Sequence, residues 1–467
     1  MPDGEHILPA AAPSELSSEA QAAARTAGAP LPGARPPATA DIRRRAAIAG
    51  RRVLSLLTGD GGQADAGKTA DPTWDSEQVI CDGDQWFDAL IADLGKAAKI
   101  IDIETYIYAR DALGERLSTA LAQAAARGVA VRLLVDGVGA ASWVRPGGGA
   151  LVRAGVAVRV WHPPLWVVFS PLRWPAILLR RLWRASAAIR KLNRRDHRKV
   201  CMIDGQVAWV GSFNIDGRHL RSLHGDAAWR DCGARVTGGG VRFLERAFAR
   251  AWRHAWRMGP RLTPPVPLLP LATAALAAGA GHSARSRRRE GVLVRLNDGL
   301  RLRRRNHRDL LKRIRNAKKR VWITSAYFLP PPTLLRALAA AAAAGADVRV
   351  LVPGNSDVVF MPWIAGAFAH KLAKLGVGMF EYGAGMIHAK TVVIDDWACV
   401  GSTNLNQRSW LHDFEADVVV TQAESRRILE QAFVSDLAHA RRVGQGASRP
   451  SWQRLLGRIG LFFAYWL

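Results

Sequence analysis

Apolar positions along this chain recur with two alternating periods. Residues 85–97 carry apolar side chains at helical spacing, and Ile100-Ile101-Asp102-Ile103-Glu104-Thr105-Tyr106-Ile107 reads as a strand. A helix is predicted from about Gly114 to Arg127, stopped by Gly128, with a second strand over Val129 to Val135. The order then repeats. Asp309 to Lys318 predicts a helix and Val321-Trp322-Ile323-Thr324-Ser325-Ala326-Tyr327-Phe328 a strand. Leu334 to Ala344 predicts a helix stopped by Gly345, and Val348 to Val352 a strand. Gly128 corresponds to Gly345, and Arg132-Leu133-Leu134-Val135 to Arg349-Val350-Leu351-Val352. The alternation implies βαβ units and a parallel or mixed sheet, duplicated over about 75–257 and 290–440.

The pattern breaks in four places. Residues 1–74 are rich in Ala and Pro, as expected of a disordered arm, with their basic residues clustered at 43–52; within it Ile42 to Leu57 reads either as solvated chain or as a basic amphipathic helix. Residues 258–289 are rich in Pro and Arg and read as a linker. Residues 441–467 form a basic and aromatic tail ending in Leu461-Phe462-Phe463-Ala464-Tyr465-Trp466-Leu467. The first half also carries a segment, about 165–195, that the second half lacks. It holds eight Lys or Arg, three Trp and no acidic residue. Trp166, Trp174, Arg180, Arg181, Trp183 and Arg184 in this segment give it the composition of an interfacial membrane helix. The competing reading is a buried helical hairpin with a basic rim.

Charge sharpens the choice of partner. A formal charge of +27 on 467 residues points to a polyanion, either nucleic acid or an anionic membrane. The 17 tryptophans favour the membrane, because indoles settle at the headgroup level. No helix-turn-helix or zinc-finger pattern stands in the sequence, so no nucleic-acid partner is expected. The oligomeric state is not legible. The cysteines Cys81, Cys201, Cys232 and Cys399 lack metal-ligand spacing and read as reduced thiols of a cytosolic protein. The first residues show neither a basic n-region nor an apolar h-region, so no signal peptide is expected. No uninterrupted run of apolar residues is long enough to predict a transmembrane helix.

The chemistry lies in two copies of one constellation. The first is His197-Arg198-Lys199, four residues, Asp204, then Gly211-Ser212-Phe213-Asn214. The second is His388-Ala389-Lys390, four residues, Asp395, then Gly401-Ser402-Thr403-Asn404. Each supplies an imidazole, an ammonium and an amide, a set suited to attack on a phosphate ester. Each runs into an apolar strand, and residues i and i+2 of an extended segment share a face. His197 therefore projects with Lys199, and His388 with Lys390. Asp204 and Asp395 fall at the far strand ends and read as structural. Ser212 and Ser402 read equally as phosphate contacts or as residues shaping the turn.

The duplicated motif resembles the phospholipase D superfamily, and its order resembles the bacterial cardiolipin synthase family most closely. The similarity spans about residues 75–445 and includes Glu104-Thr105-Tyr106-Ile107, Trp229-Arg230-Asp231 and Phe380-Glu381-Tyr382. One departure is small: six residues separate Asp from Gly in the first motif and five in the second. The resemblance implies an α/β fold of two similar halves packed as a pseudo-dimer around one active site. It implies a phosphatidyl transfer between two phosphatidylglycerol molecules through a phosphohistidine, with no cofactor and no metal, at the cytoplasmic face of a bacterial inner membrane. Phospholipase D activity with water or another alcohol as acceptor is the alternative, and a superfamily nuclease a more distant one. By family analogy His197 is the nucleophile and His388 the acid and base. Lys199, Lys390, Asn214 and Asn404 would hold the nonbridging oxygens, and Asp231 and Glu415 would accept from the distal histidine nitrogens.

Overall fold

In the computed structural model the described residues are 72–144, 146–163, 194–257, 292–358 and 361–444. The arm, the segment bearing Trp166, Trp174, Arg180, Arg181, Trp183 and Arg184, the linker 258–289 and the tail past 444 lie outside them.

The first half runs β1 (Ser76–Ile80), α1 (Gly83–Lys96), β2 (Ile100–Thr105), α2 (Ala112–Ala126) and β3 (Ala130–Asp136). It continues with α3 (Ala141–Val144), α4 (Pro146–Arg153), β4 (Ala157–Trp161), β5 (Val200–Ile203) and β6 (Val207–Gly211). After α5 (Arg221–His224) come β7 (Gly233–Thr237), α6 (Val241–His254) and β8 (Trp256–Arg257). The second half runs β9 (Val294–Leu296), α7 (Leu300–Asn316), β10 (Arg320–Ser325), α8 (Pro332–Ala343), β11 (Asp347–Pro353) and α9 (Met361–Lys374). It closes with β12 (Gly378–Tyr382), β13 (Lys390–Ile394), β14 (Trp397–Gly401), α10 (Gln407–Leu411), β15 (Ala416–Val420), α11 (Ala423–Ala438) and β16 (Ala440–Val443).

Local chemistry sets these boundaries. Asp82 and Asp111 cap α1 and α2, each accepting a backbone N–H at 2.9 Å, and Pro332 opens α8. Gly128 and Gly345, both at φ +90°, end α2 and α8 in the left-handed region that a side chain disfavours. The strands then form two eight-stranded mixed sheets among the described residues. Their orders are β8-β4-β3-β2-β5-β6-β7-β1 and β16-β12-β11-β10-β13-β14-β15-β9, one matching the other strand for strand. The fold is therefore α/β and internally duplicated.

Register at the sheet centre is duplicated too. Ile101 faces Ile203 across β2 and β5, and Val321 faces Ile394 across β10 and β13. Asp204 and Asp395 fix it. Both sit in turns at positive φ, and each carboxylate accepts three consecutive backbone N–H groups: Ala98, Lys99 and Ile100 for Asp204, and Lys318, Lys319 and Arg320 for Asp395. Those donors open β2 and β10, so the motif aspartates lock the two central strands together.

Each sheet buries one face under its own helices, as Leu94, Leu117 and Leu121 do in the first half and Leu334, Leu338 and Leu372 in the second. The other faces meet in a shared core, where Val200, Val210 and Val236 pack with Val393, Val400 and Val418. Buried apolar area on this scale is the main attraction between the halves. Polar contacts fix their alignment: Glu77 accepts from Thr421 and Gln422, Arg230 pairs with Asp436 at 2.9 Å, and the Trp74 indole donates to Val419 O.

Two expectations are corrected. Helix α7 begins at Leu300, well before the predicted Asp309, because polar residues occupy its buried face. Arg303 donates to the carbonyls of His412 and Asp413, and Asn306 to Leu296 O, so the apolar period is hidden there. Nor are all four thiols free: Cys81 and Cys232 form a disulfide, while Cys201 and Cys399 are buried thiols. Ile80 opposite Gly233 in the β1–β7 ladder brings the two residues together across 151 positions of sequence.

Candidate active site

Both histidine motifs come to the junction of the halves, and backbone pairing decides which groups meet. The segment before His197 bridges to Phe414: His197 N–H donates to Phe414 O at 3.0 Å, and Phe414 N–H to Arg195 O at 2.9 Å. The segment before His388 does the same with Arg230, through His388 N–H to Arg230 O and Arg230 N–H to Met386 O, both at 2.8 Å. Each histidine-bearing segment thus lies beside the acid-bearing segment of the other half. Glu415 follows Phe414, and Asp231 follows Arg230. His197 Nδ1 consequently lies 3.2 Å from Glu415 Oε2, and His388 Nδ1 lies 3.0 Å from Asp231 Oδ1. A carboxylate at Nδ1 fixes a proton there, so that Nε2 carries a lone pair in the neutral ring and a second, transferable proton in the imidazolium.

The remaining motif groups are held in matched ways. Asn214 Oδ1 accepts Ile107 N–H, and Asn404 Oδ1 accepts Tyr327 N–H, each at 3.3 Å. With the amide oxygen held by backbone, the NH₂ group remains a donor. Lys199 Nζ donates to His197 O at 2.6 Å, and Lys390 Nζ donates to His388 O. Each ammonium keeps further protons for an anion. All eight of these histidines, lysines, asparagines and acids are buried. Ser212 and Ser402 are fully buried as well. Ser212 donates to Cys232 O, and Ser402 donates to Glu415 Oε2 at 2.5 Å and accepts Ala416 N–H, so both hydroxyls stitch the motif to the neighbouring strand.

Other residues join the site that the sequence reading did not place there. The Tyr106 ring lies 4.9 Å from the His197 ring, and Trp229 lies 5.3 Å from His388 with the Arg218 guanidinium 4.0 Å over its ring. His219 is buried with Nδ1 2.8 Å from Asp231 Oδ2. It stands five residues after Asn214, where the second half has Ser409 five residues after Asn404, so the repeat itself does not single it out. Arg198, between His197 and Lys199, points away and pairs with Glu104 at 2.6 Å and Asp196 at 3.0 Å; the second half has Ala389 in its place.

The electrostatics of these buried groups favour an anion beside them. Burial, with the neighbouring lysines, holds both imidazoles below the usual histidine range. Burial pushes Lys199 down to about 8, and burial with Lys199 nearby pushes Lys390 down to about 7. Burial raises Glu415 to about 7 against the pull of Lys199 and Ser402. Burial would also raise Asp231, but His388 and His219 outweigh it and hold Asp231 well below the ordinary carboxylate range. The donor set fits a phosphodiester: two imidazoles for covalent and proton-transfer chemistry, and two ammoniums and two amides for oxygen charge.

A pH-dependent response follows. A lysine depressed in the folded state destabilises it below that pKa, and the cost disappears as pH rises toward the unfolded value near ~10.4. Glu415, raised to about 7, contributes stability below its unfolded value and loses it as pH rises through about 7. An anion between the lysines removes the lysine cost and is repelled by ionised Glu415. Millimolar sulfate, against chloride of equal ionic strength, should therefore raise Tm more at pH 6.5 than at pH 9. Thermal unfolding at both pH values measures it.

The duplicated α/β halves, with paired His, Lys and Asn groups at their junction, define the phospholipase D class of fold and site. A family model described as cardiolipin synthase, PLD-like domain, matches residues 90–231 and 310–437. A cardiolipin synthase of Listeria welshimeri is 32% identical over 395 residues, covering 82% of this chain and 72% of its own. One of Halalkalibacterium halodurans is 31% identical over 368 residues, covering 78% of this chain and 67% of its own. A phosphatidylserine synthase crystal structure from Haemophilus influenzae, 14% identical, shares the fold at a TM-score of 0.54 over 83% of this chain and 92% of that one. The chain belongs to the cardiolipin synthase family of phospholipase D-like enzymes.

Proposed function

We propose that this enzyme makes cardiolipin, moving a phosphatidyl group from one phosphatidylglycerol to the terminal hydroxyl of another and releasing glycerol. The observation that carries this reading is the crossed pair of histidine–carboxylate contacts, His197 with Glu415 and His388 with Asp231. It turns two motifs into one site, with one histidine to bond phosphorus and one to move the proton. His197 Nε2 attacks phosphorus and forms the phosphohistidine. His388 protonates the departing glycerol oxygen, then takes the proton of the incoming hydroxyl as its oxygen attacks the phosphohistidine. Lys199, Lys390, Asn214 and Asn404 hold the nonbridging oxygens as charge builds on them.

The rest of the proposal concerns place and acceptor. The basic, Trp-bearing segment at 165–195 docks the enzyme on anionic lipid as a peripheral protein of the cytoplasmic face. Among the described residues no helix is long and apolar enough to cross a membrane. Docking favours a lipid hydroxyl over water by concentrating the acceptor and drying the site. The unit boundaries that go with this reading are an arm at 1–74, halves at 75–257 and 290–440, the linker 258–289 and the tail 441–467.

One experiment separates lipid from nucleic-acid chemistry. Purified enzyme with EDTA is offered phosphatidylglycerol vesicles in one reaction and single-stranded DNA in another. Lipid turnover without DNA cleavage is the expected result. Cleavage of DNA with no lipid turnover would move the site to a nuclease role. Lipid turnover lost to EDTA and restored by a divalent ion, on detergent-dispersed substrate, would contradict a metal-free mechanism.

A further inference from the structure

Asp231 faces two imidazoles. Its Oδ1 holds His388 Nδ1 at 3.0 Å, and its Oδ2 lies 2.8 Å from His219 Nδ1. His219 Nε2 accepts the backbone N–H of Asn214 at 3.2 Å. A ring nitrogen that accepts carries no proton, so the His219 proton sits on Nδ1, beside Asp231. A run of close polar contacts therefore leads from the Asn214 backbone through His219 and Asp231 to His388. Lys199, Lys390 and Tyr327 also interact electrostatically with Asp231.

The second half lacks this imidazole. Ser409 occupies the matching position, and its hydroxyl together with that of Ser402 supports Glu415. The duplicated site is thus asymmetric at one point: an imidazole braces the acid behind His388, while hydroxyls brace the acid behind His197. The two carboxylates diverge accordingly, Asp231 below the ordinary range and Glu415 up to about 7. An ionised carboxylate stabilises an imidazolium beside it, and a protonated one does not.

We propose that His219 is a positioning residue that holds Asp231 against His388, so that His388 carries the dyad's proton and His197 is left to attack. The inference rests on the phosphohistidine reading above. In the first step the His197 Nε2–phosphorus bond forms, the phosphorus–glycerol oxygen bond breaks, and the His388 Nε2 proton goes to that oxygen. His219 touches none of the reacting atoms.

The test compares leaving groups. Phosphatidylglycerol expels an alkoxide that needs the proton, whereas phosphatidyl-p-nitrophenol expels a phenolate that does not. The first-turnover release of p-nitrophenolate reports attack by His197 alone. Replacing His219→Ser, which copies the second half, should slow phosphatidylglycerol turnover about 10- to 100-fold, the range for losing a hydrogen bond to a charged group. The p-nitrophenolate burst should stay within about threefold, as expected where no general acid is required. His219→Asn restores an N–H donor toward Asp231 and should recover most of the lost rate. Equal losses on both substrates at unchanged Tm would overturn the proposal, as would no loss on either. Wild-type enzyme in the same assay keeps the outcomes apart: if it turns over neither lipid, the proposed function fails, and if it turns over both, only the role of His219 is at stake.

Discussion

His197→Ala and His388→Ala should each lower turnover by about four orders of magnitude, and the double variant should be little slower than either single one. Groups that act in one mechanism lose their effect together, because removing the first already abolishes the step that needs the second. Folding should survive. Asp231 keeps His219 when His388 is removed, and Glu415 keeps Ser402 when His197 is removed. Steady-state rates with Tm for the three variants check this. Near-native activity in either single variant would mean that the two motifs do not share a site. A trapped phosphohistidine on His388 would reverse the assignment of roles.

Lys199→Met and Lys390→Met should move activity and stability in opposite directions. In the proposed mechanism each lysine stabilises oxygen charge in the transition state, and losing one such donor costs about 100- to 1,000-fold in kcat. Each is also a buried cation held below its ordinary pKa, about 8 for Lys199 and about 7 for Lys390. Methionine fills similar volume without the charge, so Tm at pH 6.5 should rise. Paired kinetics and thermal unfolding measure both quantities. A fall in Tm together with activity would contradict the electrostatic description of the free site.

The parts legible in the sequence are those set by local chemistry. Gly128 and Gly345 stop their helices because no neighbour need be known to read a glycine after an apolar helical run. The central strands show as apolar stretches, and Asp204 and Asp395 show as strand-end residues. Their partners, the opening N–H groups of β2 and β10, are about a hundred residues away for Asp204 and nearer eighty for Asp395. What could not be read depends on contacts between distant segments. The N-terminal turns of α7 carry Arg303 and Asn306 inward, where their bonds to backbone replace apolar packing. Cys81 and Cys232 meet only because β1 and β7 pair.

The site divides along the same line. The His, Lys and Asn sets stand close together in sequence, so their spacing carries the signal. The pairing of His197 with Glu415 and His388 with Asp231 crosses between halves, over 218 and 157 positions, and depends on the bridges at Phe414 and Arg230. The sequence named those acids only through family resemblance. His219 escaped because the second half has a serine at its position, so a search for matching residues passes over it.

The central claim is that the phosphohistidine is discharged by a lipid hydroxyl in a site built from both halves. Purified enzyme with vesicles of phosphatidylglycerol alone, its products quantified by mass spectrometry, tests this most directly. Cardiolipin and free glycerol in near-equal amounts, with phosphatidic acid minor and added glycerol driving the reaction backward, is the expected result. Phosphatidic acid as the dominant product on intact bilayers would contradict it.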